Sequence, residues 1–115
     1  MQGQFSGRND PVFIYSKKHL AAEGDQTVTL PQNAGIHQVA IDALDGSAGT
    51  AVITILPVGM KNELPLFESD GATPVVLDMI GGDARSDIRG SLQALTASLS
   101  GFDGTAYKLS ITSFF

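Results

Sequence analysis

The residues able to do chemistry in this chain are few, and their spacing joins them to no catalytic set. His19 and His37 show neither an HExxH spacing nor a third ligand nearby, so both read as surface histidines rather than metal ligands. Three Asp-Gly pairs, Asp45-Gly46, Asp70-Gly71 and Asp103-Gly104, bring carboxylates into loops. Each reads as a turn, because Asp and Gly tolerate the backbone angles a turn demands. A calcium loop of the D-x-[DN]-x-[DN]-G type is absent. Glu23, Glu63 and Glu68 are the only glutamates, and all fall in expected loop or edge positions. The chain has no GxSxG, no Walker A motif and no GxGxxG, and "GMKNEL" lacks the rest of a phosphate loop. With no cysteine, disulfides and thiolate metal sites are excluded. The expectation is a protein that is not an enzyme and uses no metal or cofactor.

Such a chain must act through its surface, and composition bounds what that surface meets. At 115 residues and 43% hydrophobic content, one domain with its own core is expected. The net charge of -5 repels phosphate backbones, which argues against nucleic acid as a partner. No stretch approaches eighteen apolar residues, so no membrane-spanning helix is expected. "MQGQFSGRND" lacks the apolar core of a secretory signal, so the protein is expected to be soluble, made in the cytosol and used as it stands.

The elements that position side chains are read from alternation and turn residues. "PVFIYSK" (11–17) is β-prone, and "HLAAEGD" reads as a helical turn ended by Gly24. "QTVTL" (26–30) alternates until Pro31. "IHQVAIDAL" (36–44) places Val39, Ile41 and Ala43 on one face. "TAVITILPV" (50–58) is nearly continuously apolar and reads as a central strand covered on both faces. The intervening "LDGSAGT" predicts a hairpin between these last two. "LPLFES" carries Pro65 and reads as an edge strand. "PVVLDMI" (74–80) puts Val75, Leu77 and Met79 on one face. "SDIRGSLQALTASLSGFDGT" (86–105) fits either a helix or a strand. Gly90 and the many serines and threonines weaken a helix, and a phase change near Ala94 matches a strand with a β-bulge or a bend there. "TAYKLSITSFF" closes the chain, with Tyr107, Leu109, Ile111 and Phe115 facing one way.

The sum is an all-β fold: a single-domain antiparallel β-sandwich or jelly roll of about eight short strands over residues 11–115, preceded by an N-terminal arm over residues 1–10. The C-terminal half, "AGTAVITILPVGMKNELPLFESDGATPVVLDMI" and then "IRGSLQALTASLSGFDGTAYKLSIT", resembles small virion proteins of tailed bacteriophages. The shared cadence is a strand ending in P-V-G, a D-G turn, an apolar strand, an I-x-G-x-x-x-A-L segment and a closing S-G-x-x-G-T-x-Y-x-L-x-I hairpin. It spans about residues 49–112. The resemblance implies a virion subunit, either a capsid decoration (cement) protein or a small tail, neck or baseplate part. It also implies a homo-oligomer, commonly a trimer, and the major capsid protein or another virion protein as partner. A carbohydrate- or receptor-binding sandwich is the rival reading, weakened by the lack of tryptophan. Candidate contact residues are Phe5, Phe13, Tyr15, Phe102, Phe114 and Phe115, with Phe67 as a further apolar anchor. Phe114 and Phe115 are adjacent, so on a strand they point to opposite faces and only one can enter the core.

Overall fold

The computed structural model describes residues 10–68, 70–81 and 85–115. Apart from Asp10, the arm expected over residues 1–10, including Phe5, lies outside them. Among the described residues the chain forms nine strands, a single 3-10 turn and no α-helix. The strands are β1 (Phe13–Leu20), β2 (Gln26–Thr29), β3 (Ile36–Ala43), β4 (Thr50–Pro57), β5 (Leu64–Pro65), β6 (Val76–Asp78), β7 (Arg85–Arg89), β8 (Leu92–Ser100) and β9 (Ala106–Phe114). The 3-10 turn, Ala21–Glu23, ends at Gly24, as the helical-turn reading anticipates.

One sheet has the order β1-β9-β3-β7, and the other runs β2-β8-β4-β5 with β6 also on β4. All pairs are antiparallel. The pairs nest: β4 with β6 innermost, then β3 with β7, β2 with β8, and β1 with β9 outermost. Successive pairs of this long hairpin fall in opposite sheets, which is a jelly roll. β5 and β6 share the flank of β4, separated by the turn at Asp70, so the expected edge strand at Pro65 and the expected strand over 74–80 both form but are shorter than the sequence suggests.

The expected β3–β4 hairpin does not form, because the two strands belong to opposite sheets. The loop between them is tied instead to the β8–β9 turn. Asp45 accepts hydrogen bonds from the Thr105 amide (2.8 Å), the Thr105 hydroxyl (2.6 Å) and the Ala106 amide (3.0 Å). Asp103 reciprocates by accepting from the Ser47 amide (2.8 Å), the Ser47 hydroxyl (2.6 Å) and the Ala48 amide (3.0 Å). Two Asp-Gly-Ser/Thr triplets thus clasp each other across the sandwich end. Glycine is required between them: a Cβ on Gly46 would lie 2.6 Å from the Asp103 carboxylate, and one on Gly104 would lie 2.5 Å from the Asp45 carbonyl.

The ambiguous stretch 86–105 resolves into two strands in different sheets. The chain crosses from β7 to β8 at Gly90, whose φ of +122° suits glycine alone. The expected phase change is also present. Leu56 pairs with Ala94 while Pro57 pairs with Leu92, leaving Gln93 as the extra residue of a bulge. The Gln93 side chain then holds the following loop by donating to the carbonyls of Pro57 (2.9 Å) and Met60 (3.1 Å).

The core lies between the sheets. Val39, Ile41, Ile88, Tyr107, Leu109 and Ile111 of the first meet Val28, Ala51, Ile53, Leu77, Leu95 and Ala97 of the second. Each buried Leu or Ile contributes about 1.5–3 kcal/mol of transfer free energy. β4 is central, with Ala51 and Ile53 fully buried and its outer face only half-covered. Part of that cover is Glu63, which accepts hydrogen bonds from Thr96 (2.7 Å) and Thr54 (3.4 Å).

Candidate functional site

The structure divides the contact residues expected from sequence into two groups. Phe13 and Tyr15 lie half-buried against the core from the edge strand β1. The Tyr15 hydroxyl is hydrogen-bonded to His19 Nε2 at 2.8 Å. Burial, with the nearby Glu23 carboxylate second, raises the Tyr15 pKa. Phe102 is wedged over Gly49 and Gly104 and meets Tyr107 edge-on at 6.4 Å. Its side chain therefore packs inward from the turn. Phe114 and Phe115 are the outward group.

Their surroundings follow from the register. β9 places Phe114 opposite Ile36 of β3 on the outer face of its sheet. On the other side β1 places Ile14 opposite Thr112, on that same face. Phe115 was expected on the inner face with Tyr107. It lies instead beyond the end of β9 and is 68% exposed. Ser113 ends the buried row because His37 holds it. His37 was expected at the surface, yet it is fully buried, on the same face of β3 as Val39 and Ile41. Its Nδ1 lies 2.7 Å from the Ser113 hydroxyl and its Nε2 lies 3.1 Å from the Gly90 carbonyl. A carbonyl can only accept, so Nε2 carries the proton and Nδ1 accepts from Ser113, which is the neutral imidazole. Burial lowers the His37 pKa, opposed by the Gly90 bond.

The loops at this end are joined by main-chain hydrogen bonds. Gly35 donates to Phe114, Gly90 to Gly35, and Val58 to Ser91. Val58, Met60 and Phe115 are exposed at this end, and Ile14 is exposed on the outer face of the first sheet beside it. Met60 donates to Pro57 across a tight turn with Gly59 at φ +88°, so Val58 and Met60 sit on a fixed tip. Two smaller exposed groups lie elsewhere: Leu64, Phe67 and Val76 on the β5–β6 flank, and Leu20, Leu44 and Ile80 away from both. Hydrophobicity does not mark Val58 and Met60 as exposed, and only the turn residues Pro57 and Gly59 beside them signal that the strand has ended.

The three loop aspartates Asp45, Asp70 and Asp103 carry out structural tasks. All six oxygen-directed bonds of Asp45 and Asp103 go to the clasp, and Asp70 accepts from Ala72 and Thr73 within its own turn. Among the described residues no three of His, Cys, Asp or Glu converge as a metal would require. The Tyr107 hydroxyl is buried and finds no hydrogen-bond partner among the described residues, its ring lying near those of His19 and Phe102. No family model matches the chain, and no curated protein matches its sequence.

Proposed function

We propose that this protein is a non-enzymatic structural component of a tailed-phage virion, which stabilises the particle by binding capsid subunits as a homo-oligomer, with a trimer favoured. The observation that carries the reading is the set of exposed apolar side chains at and beside one end of the sandwich, Val58, Met60, Phe115 and Ile14. Exposed apolar side chains gathered toward one end of a small domain suit a surface that a neighbour covers. The jelly roll supports the reading as an architecture used in viral capsids, a fold-level analogy. The resemblance of residues 49–112 to small virion proteins adds to it. The two further exposed groups suit a component that touches both its own copies and a different protein. A tail, neck or baseplate position is the same reading at another site on the particle.

Size exclusion with light scattering, followed by co-sedimentation with purified particles lacking the protein, tests this. An oligomer that sediments with particles is expected. A strict monomer that stays in the supernatant overturns the decoration role.

A further inference from the structure

β1 is the edge of its sheet. β9 pairs with one side of it, and among the described residues no strand pairs with the other. An open edge presents a row of unspent backbone groups, and the ladder identifies them. The Ala21 amide donates to the Thr105 carbonyl at 2.9 Å, one step beyond the Leu20–Ala106 pair. The odd-numbered residues of β1 therefore turn their amides and carbonyls to β9, and Ile14, Ser16, Lys18 and Leu20 turn theirs outward. Leu20 shows this directly, because its amide donates to the Glu23 carboxylate at 3.0 Å, away from the ladder. Glu23 thus closes that end of the edge. The amides of Ile14, Ser16 and Lys18 donate to no other described residue.

Lys17 and Lys18 stand in the middle of this row, both exposed. Lys17 lies over the inner side, its ammonium 5.9 Å from the centroid of the Tyr15 ring. Lys18 lies on the outer side beside Lys108 of β9, with Asp42 of β3 beyond it. Among the described residues the one ion pair within 4.0 Å is His19 with Glu23, so neither edge lysine has a carboxylate partner. β1 itself contains no acidic residue. Two copies joined edge to edge would therefore put four lysines on one seam with no carboxylate from either strand. Lysines on an edge act in this way against self-pairing. The same lysines favour a strand that brings the opposite charge, since cross-strand neighbours of opposite sign attract.

We propose that the open edge of β1 takes an extended segment of a partner protein as a further antiparallel strand, with two adjacent acidic residues opposite Lys17 and Lys18 and an apolar residue opposite Ile14. The backbone selects a peptide, because alternating donors and acceptors at strand spacing are matched by another extended chain. Ladder bonds then supply affinity, and the side chains set the register. Ile14, 67% exposed, gives the apolar contact. The overall charge of -5 opposes an acidic partner at long range, but salt screens it beyond about 8 Å, and the two lysines act inside that distance. The segment needs two carboxylates side by side and not a run of them. Apart from Ile14 the edge shares nothing with the exposed end, and the proposal does not depend on the virion reading.

The test is a titration of the ¹⁵N-labelled full chain with the peptide acetyl-Thr-Glu-Glu-Thr-Val-Ile-Thr-amide, followed by amide shifts and hydrogen exchange. In the free chain the Ile14, Ser16 and Lys18 amides are expected to exchange fast. Peptide should shift them saturably and slow their exchange. Replacing both glutamates by glutamine, or combining Lys17→Gln with Lys18→Gln, should weaken binding about three- to tenfold. Ser16→Pro removes an outward amide that the fold does not use, so it should abolish binding while the spectrum stays that of a folded chain. Methylating the peptide amides that face β1 should do the same with the protein unaltered. No shifts, shifts on another face, or equal affinity for the glutamine or methylated peptide would each overturn the proposal. So would slow exchange of the three amides without peptide: at every protein concentration it would mean that residues 1–9 fill the edge, and at high concentration alone that a second copy does.

Discussion

Asp45 and Asp103 hold their protons weakly because folding surrounds each carboxylate with hydrogen-bond donors. The Ser47 hydroxyl, with the Ala48 and Ser47 amides, lowers the Asp103 pKa to about 2 from an ordinary value of 3.8. The Thr105 hydroxyl, with the Ala106 and Thr105 amides, lowers that of Asp45. A depressed folded-state pKa means the unfolded chain binds more protons in the interval. The clasp's contribution is therefore complete above about pH 4 and is lost as the pH falls toward about 2. Thermal melts from pH 5 to 2 should show Asp103→Asn melting lower at pH 5 and losing less on acidification. An unchanged slope would mean the clasp is not coupled to folding. His37 acts in another window. Its pKa is lowered in the fold, so the stability it carries is present above the unfolded value of 6.5 and falls away as the pH drops below it. Urea unfolding at pH 7.5 and 5.5 should show a loss in the wild type that His37→Gln reduces. Neither role was legible beforehand. Asp-Gly reports a local turn, and the partners of Asp45 and Asp103 are remote in sequence. One histidine in an apolar alternation carries no mark of the serine and carbonyl that satisfy it.

Among the elements, Gly90 sets the most consequential bend. A Cβ there would meet nothing within 4 Å, so the cost of a side chain is the left-handed backbone alone. Gly90→Ala is expected to lose about 1–3 kcal/mol by chemical denaturation. Gly81→Ala, where a Cβ also meets nothing and no positive φ is needed, should change stability by less than about 0.5 kcal/mol. Equal effects at both positions would show that the corner is not strained. The strands themselves were largely readable, since Tyr107, Leu109 and Ile111 alternate with Lys108 and Ser110 as a half-buried strand must. The phase change in "SLQALTASL" was readable as a bulge, and it falls at Gln93. The change of sheet at Gly90 was not, because Ile88 and Leu92 keep the same parity on either side of it.

At the scale of the whole molecule, the pairing order was the illegible part. Alternation tells each strand which face to bury, and it is silent on whether β3 pairs with β4 or with β9 and β7. A local turn signal between β3 and β4 pointed to the first, whereas the nested ladder uses the second. The exposed end belongs to this scale too, since its members come from β1, the β4–β5 turn and the residue after β9. Phe115→Ser combined with Ile14→Ser is expected to shift an oligomer toward monomer by light scattering while leaving the melting of the isolated subunit near that of the wild type. An unchanged oligomer would place the subunit contact on another face.

The nested ladder also sets how the fold responds to force. Val12 donates to the Ser113 carbonyl at 2.8 Å, so the two ends of the described fold leave side by side from neighbouring antiparallel strands. Tension applied through them loads the β1–β9 bonds one after another, like a zipper, rather than all together in shear. A neighbour gripping only these ends could peel the outermost pair at low load. One gripping the opposite end, where Asp45 and Asp103 lock the loops, would have to break several hydrogen bonds at once.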